Sequence, residues 1–202
     1  MEFFHRSGCR PSRLGVLAGT FNPPTKAHLE LAEAALQRVD EVVWVLPRQF
    51  PHKPQFGANF DERIHMLRRI TPDPTRYSVA ATEAGLFIDI ARECRTLYGP
   101  NTELVFVCGR DAAQRVTEWN YSGTESIEQM LEEFQLLVAP RCGHYQMPEP
   151  LAARVHRLEL REPIDHVSST EVRERIARGE PWEHLVPEAI LEDVKRIYVE
   201  SK

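Results

Sequence analysis

Six short apolar runs, spaced by helical patterns, limit this chain to a small set of folds. The runs are LGVLA (14–18), EVVWVL (41–46), YSVAA (77–81), ELVFVC (103–108), QLLVA (135–139) and RVHRLEL (154–160). They are apolar on both sides instead of alternating, as strands buried in a parallel sheet must be. Helical patterns occupy the intervals near 26–39, 60–70, 84–97, 111–118 and 124–133. Strand, helix and strand in that rhythm require crossover connections, so the spacing predicts an α/β chain with a doubly wound parallel sheet and helices on both faces. After the last run, SSTEVRERIARG is closed by Gly179 and VPEAILEDVKRIYVE is opened by Pro187, which predicts a C-terminal helical segment.

A chain of 202 residues is long enough for one sizeable core, and residues 14–202 are expected to form a single domain. The leading MEFFHRSGCRPSR (1–13) reads as a disordered leader or an extra N-terminal arm. It lacks the apolar centre of a signal peptide, and no later run reaches membrane-spanning length. A net charge of −5 with 27% charged residues gives no reason to expect general binding to nucleic acid or to an acidic membrane. Cys9, Cys94, Cys108 and Cys142 show no metal-ligand spacing, so no protein-bound metal is expected and reduced thiols in a cytoplasmic protein are.

Ligands on such sheets bind beyond the carboxyl ends of the strands, and four stretches stand there. GTFNPPTKAH (19–28) follows the first run: Gly19 lets the backbone approach a ligand, and the helix start offers N–H groups and positive dipole to a phosphate. Thr25 and His28, three apart, share one face of that helix entrance; the alternative is an N-cap threonine and a partly buried histidine. VSSTEVR (167–173) repeats the arrangement, with Ser168, Ser169 and Thr170 before Arg173 as a polyphosphate clamp, or with one serine as a simple cap. In CGRDAAQRVTEWNY (108–121), where Gly109 and Asp111 follow the strand, the Asp111 carboxylate could meet ribose hydroxyls and Trp119 a planar ring, against a cap and a core tryptophan. In PRQFPHK (47–53), Lys53 is a solvated lysine unless its loop folds over a phosphate.

In this order the four stretches resemble the nucleotidyltransferases with an H/T-x-G-H signature, and among them the bacterial nicotinate-nucleotide adenylyltransferase family. GTFNPPTKAH matches that pattern through Gly19, Thr20, Phe21, Asn22, Pro23, Thr25 and His28; Pro51, His52 and Lys53 match its Pro-His-Lys loop; Gly109, Asp111 and Trp119 match its G-x-D…W stretch; Val167, Ser168, Ser169, Thr170, Val172 and Arg173 match its closing signature. The resemblance implies a Rossmann-like fold and transfer of the adenylyl group of ATP to the phosphate of nicotinic acid mononucleotide, with release of pyrophosphate. It implies that His28, Thr25 and Arg173 are catalytic. Gly19, Thr20, Phe21, Lys53, Gly109, Asp111, Ser168, Ser169 and Thr170 would bind ATP, and Asn22, Trp119 and Tyr121 the acceptor. Mg²⁺ would enter with ATP, the partners would be the two small-molecule substrates, and a homo-oligomer is compatible with the pattern.

The chain departs from that pattern at three places. Thr25 stands where relatives often have histidine, and Ala27 where glycine is common; each keeps a donor or a small residue. At EAGLFIDI (83–90), Phe87, Ile88 and Ile90 stand where relatives carry hydroxyls for the acceptor. This leaves nicotinamide mononucleotide or an alcohol phosphate open as acceptor, CTP as donor, and a catalytically silent nucleotide-binding domain as the non-enzymatic alternative.

Overall fold

The computed structural model describes residues 1–48, 57–118, 127–139 and 151–200. Among them, seven strands form one sheet: β1 (Glu2–His5), β2 (Arg13–Ala18), β3 (Glu41–Pro47), β4 (Tyr77–Thr82), β5 (Glu103–Gly109), β6 (Gln135–Ala139) and β7 (Val155–Arg157), in the order β1-β4-β3-β2-β5-β6-β7. Every neighbouring pair is parallel except β1 with β4. Setting β1 aside, the parallel strands therefore run third, second, first, fourth, fifth, sixth, the doubly wound order with its reversal beside β2. The register Val16↔Val43 on one side and Val16↔Phe106 on the other places the carboxyl ends of β2 and β5 next to each other. The helices following these two strands pack on opposite faces of the sheet, the arrangement that leaves a crevice between them in doubly wound folds.

The strand residues divide cleanly between two cores. Leu17, Val42, Trp44, Leu46, Val105 and Val107 pack with Leu31 and Ala32 of α1 (Lys26–Ala35), Met66 and Leu67 of α2 (Phe60–Ile70), and Val172 and Ile176 of α6 (Ser169–Arg178). Leu14, Val16, Val43, Val45, Leu104, Phe106 and Cys108 pack with Ile88 and Ala91 of α3 (Phe87–Tyr98), Ala113 of α4 (Arg110–Glu118), and Met130 and Leu131 of α5 (Ile127–Glu133). Alternate residues of one strand thus serve opposite faces, which explains why the runs read as continuously apolar. Among the described residues no helix is long and apolar enough to cross a membrane.

Two sequence expectations need correction. The disordered alternative for the leader fails: Phe3 and Phe4 set β1 against β4, packing edge-on against Tyr98 and Phe60 at 6.1 and 5.8 Å, and the Ser7 N–H donates to Ser78 Oγ at 2.9 Å. Four residues are too few for periodicity to reveal such a strand. RVHRLEL yields strand only over Val155–Arg157, because β7 has β6 as its single neighbour. The expected C-terminal helical segment is present and is built from a 3₁₀ turn (Glu188–Ile190), a single α turn α7 (Leu191–Val194) and a π-helical turn (Lys195–Val199).

Candidate active site

The chain leaves β2 through a tightly held loop. Gly19 N–H donates to Val45 O at 3.1 Å, the Asn22–Pro23 peptide is cis, and Phe21 adopts a φ of 46°. A phenylalanine rarely accepts that left-handed conformation. Here its fully buried ring, 5.2 Å from the His28 ring and 5.7 Å from Trp44, supplies the packing that holds the strained backbone.

Helix α1 then begins at a cap made by the two residues singled out in the sequence. Thr25 N–H donates to His28 Nδ1 at 3.0 Å, and Thr25 Oγ1 lies 2.8 Å from the same nitrogen. A backbone N–H can only donate, so Nδ1 is an acceptor and the neutral imidazole carries its proton on Nε2. The histidine is thereby held in the tautomer that presents an N–H donor away from its own helix. Thr25 itself is 0% exposed. Its hydroxyl is committed to His28, where the sequence pattern led us to expect a donor to phosphate.

The carbonyls of the loop are held by side chains from α2 and α6. Arg63 Nη1 donates to Thr20 O at 3.3 Å, Arg173 Nη1 to Asn22 O at 2.6 Å, and Ser169 Oγ to Pro23 O at 2.7 Å. This last bond draws the N-terminus of α6 against the segment that leads into α1. The two strand-to-helix motifs, nearly 150 residues apart in sequence, are therefore brought together. Within the second motif, Ser168 is the N-cap, accepting from Glu171 N–H at 3.1 Å, and Thr170 Oγ1 accepts from Arg173 Nη2 at 3.2 Å. With Nη1 on Asn22 and Nη2 on Thr170, the Arg173 guanidinium is fixed in plane.

The electrostatics follow from burial. Arg63, 4% exposed, and half-buried Arg173 both have pKa values lowered by desolvation, with the field of Tyr198 opposing the shift. Two guanidinium groups drawn out of water beside two helix N-termini make a site suited to polyanions. Gly109 ends β5 and Asp111 stands exposed in the first turn of α4, at the crevice beside β2. Lys53, Trp119 and Tyr121 lie outside the described residues. Phe87, Ile88 and Ile90 serve the core: Phe87 stacks on Phe106 at 4.4 Å, and the two isoleucines are 5% and 1% exposed.

Sequence reasoning missed Arg63, Ala58 and Tyr198. Arg63 left a trace, since it shares the apolar stripe of α2 with Met66, Leu67 and Ile70, all buried, and an arginine there implies a specific acceptor. Tyr198 left none, because its partner Asn22 is at the other end of the chain.

Comparisons with known proteins agree with this geometry. The cytidylyltransferase-like family model matches residues 16–175. A protein of Exiguobacterium sibiricum named "Probable nicotinate-nucleotide adenylyltransferase" is 31% identical over 186 residues, covering 88% of this chain and 93% of its own. Its namesake in Moorella thermoacetica is 29% identical over 203 residues, covering 92% and 90%. The solved structure of Plasmodium falciparum nicotinic acid mononucleotide adenylyltransferase complexed with NaAD superposes with a TM-score of 0.71, covering 91% of this chain and 94% of the other at 18% identity. It shares the fold. A sheet that reverses beside β2, two helix starts meeting on one loop, and relatives matched along nearly their whole length lead to one conclusion: the chain is a nucleotidyltransferase and belongs to the cytidylyltransferase-like family, within its nicotinate-nucleotide adenylyltransferase branch.

Proposed function

We propose that this chain transfers the adenylyl group of ATP to the phosphate of nicotinic acid mononucleotide. The observation that carries the reading is the convergence of α1 and α6 on residues 19–25, with His28 held so that Nε2 is the donor. An oxygen of the mononucleotide phosphate attacks the α-phosphorus, the bond from that phosphorus to the β-bridging oxygen breaks, and pyrophosphate leaves with the electron pair. No side chain needs to become a nucleophile, so the protein's work is alignment and charge stabilisation. His28 Nε2–H donates to the α-phosphate as charge builds there, and Arg173 and the helix N–H groups receive the rest of the triphosphate. Thr25 positions His28 instead of touching phosphate. Gly109 and Asp111 border the ATP ribose, Lys53 reaches the phosphates from its loop, Asn22 faces the acceptor, and Trp119 with Tyr121 stacks on the pyridine ring.

Mg²⁺ would enter as a companion of the triphosphate and would neutralise phosphate charge there. A cytoplasmic setting accords with the unbridged thiols of Cys9, Cys94 and Cys108. The test is pyrophosphate release with ATP or CTP against nicotinic acid mononucleotide, nicotinamide mononucleotide and a simple alcohol phosphate. ATP with nicotinic acid mononucleotide should give the highest kcat/KM, and a preference for CTP or another acceptor would replace this reading.

A further inference from the structure

We propose that Tyr198, in the closing turn of the chain, is a positioning residue for the triphosphate site, acting through Asn22; this rests on the nucleotidyltransferase reading above. The Tyr198 hydroxyl donates to Asn22 Oδ1, and the same oxygen accepts from Ala58 N–H at 3.3 Å. Because a backbone N–H only donates, the amide is oriented with its oxygen at this junction and its Nδ2 on the opposite side. The carbonyl of Asn22 meanwhile accepts from Arg173 Nη1 at 2.6 Å. One residue of the entrance loop is thus held from its side chain by the C-terminal turn and from its main chain by the phosphate-facing arginine.

The junction has no spare room. Gly57 has a φ of +77°, and a Cβ there would come within 2.6 Å of Tyr198 Cε1 and 2.9 Å of Asn22 Oδ1. Only glycine satisfies both the backbone conformation and the contact. Gly57 and Ala58 immediately follow residues 49–56, which carry Lys53. Tyr198 therefore ties the exit of that segment to the loop entering α1. The ring is 7% exposed and burial pushes its phenol upward, so the hydroxyl stays protonated as a donor throughout the neutral range. The π-helical turn Lys195–Val199 carries the ring, a backbone form frequent at functional sites.

Tyr198→Phe separates positioning from packing, because the ring keeps its apolar contacts and the hydroxyl alone is lost. Calorimetric binding of Mg·ATP should weaken roughly three- to tenfold, the size of one net hydrogen bond. The kcat/KM for ATP should fall alongside it, while loss of one buried hydrogen bond lowers the melting temperature by no more than roughly 2–4 °C. Gly57→Ala displaces the ring with the hydroxyl intact and should lower ATP affinity in the same direction, and the double variant should be no weaker than the weaker single one. Parental ATP affinity in Tyr198→Phe, or a drop in melting temperature without a change in ATP affinity, overturns the proposal. Failure of the parent to use nicotinic acid mononucleotide would remove the acceptor assignment while the ATP affinities still decide the role of Tyr198. A parent that binds no Mg·ATP overturns both.

Discussion

In this structure His28 Nδ1 accepts from Thr25 N–H, and substitution can separate that cap from the role proposed for Nε2. Asparagine places an oxygen near the position of Nδ1, so His28→Asn retains an acceptor for Thr25 N–H, now bonded at 3.0 Å, but has no donor where Nε2 stood. Glutamine reaches the Nε2 position with an N–H and leaves Thr25 N–H without its acceptor. Removing a donor that acts on charge developing in the transition state costs on the order of 10²–10³ in kcat, and His28→Asn should lose that much while its melting temperature stays close to the parent. His28→Gln should lose less in kcat. It gives up the cap, worth about 1 kcal/mol, which for a chain of this length lowers the melting temperature by roughly 2–4 °C. Pyrophosphate release under saturating substrates and thermal melts on the same preparations give both quantities. Parental kcat in His28→Asn, or a reversed order of the two variants in both measurements, would refute the tautomer argument and with it the role of Nε2.

Arg173→Lys replaces a planar fork fixed on Asn22 O and Thr170 Oγ1 with a point charge, so the KM for ATP should rise and kcat fall, together about tenfold or more in kcat/KM; steady-state kinetics at varied ATP checks this. Thr25→Val removes Oγ1 from His28 Nδ1 but leaves the N–H bond, so it should cost about 1 kcal/mol of stability and reduce kcat less than His28→Asn does, whereas Thr25→Ser should resemble the parent in both. Burial pushes the thiols of Cys94 and Cys108 up to about 12, so they stay protonated and unreactive at pH 8. A chromogenic disulfide reagent at that pH should reach them only after denaturant is added, and rapid reaction in the native protein would contradict their placement in the core.

The sheet was legible because its signal is local. A strand such as EVVWVLP, with every residue buried, announces itself wherever it occurs, and six such runs spaced by helices leave little topological freedom. The edge strand β1 was not legible, since four residues stabilised by Phe3 and Phe4 against Tyr98 and Phe60 depend on partners distant in sequence. The same distinction divides the site. Thr25, His28, Ser168 and Arg173 stand at strand-to-helix turns, where a motif carries its own structural context. Arg63, Ala58 and Tyr198 reach the backbone or side chain of residues 20–22 from other elements, and nothing in their local sequence names those acceptors. Thr25 lies between the two cases. Its cap position was readable, but the direction of its hydroxyl, toward Nδ1 and away from solvent, depends on how His28 turns within the folded helix entrance.

In the proposed function, adenylyl transfer is a single displacement between two substrate phosphates, with side chains donating hydrogen bonds and none bonding to phosphorus. The stereochemistry at the α-phosphorus tests this most directly. With an ATP analogue chiral at that centre and nicotinic acid mononucleotide as acceptor, one in-line displacement must invert the configuration in the dinucleotide product, as read by ³¹P NMR. Inversion is the predicted result; retention would require a covalent adenylyl-enzyme intermediate and would contradict the account.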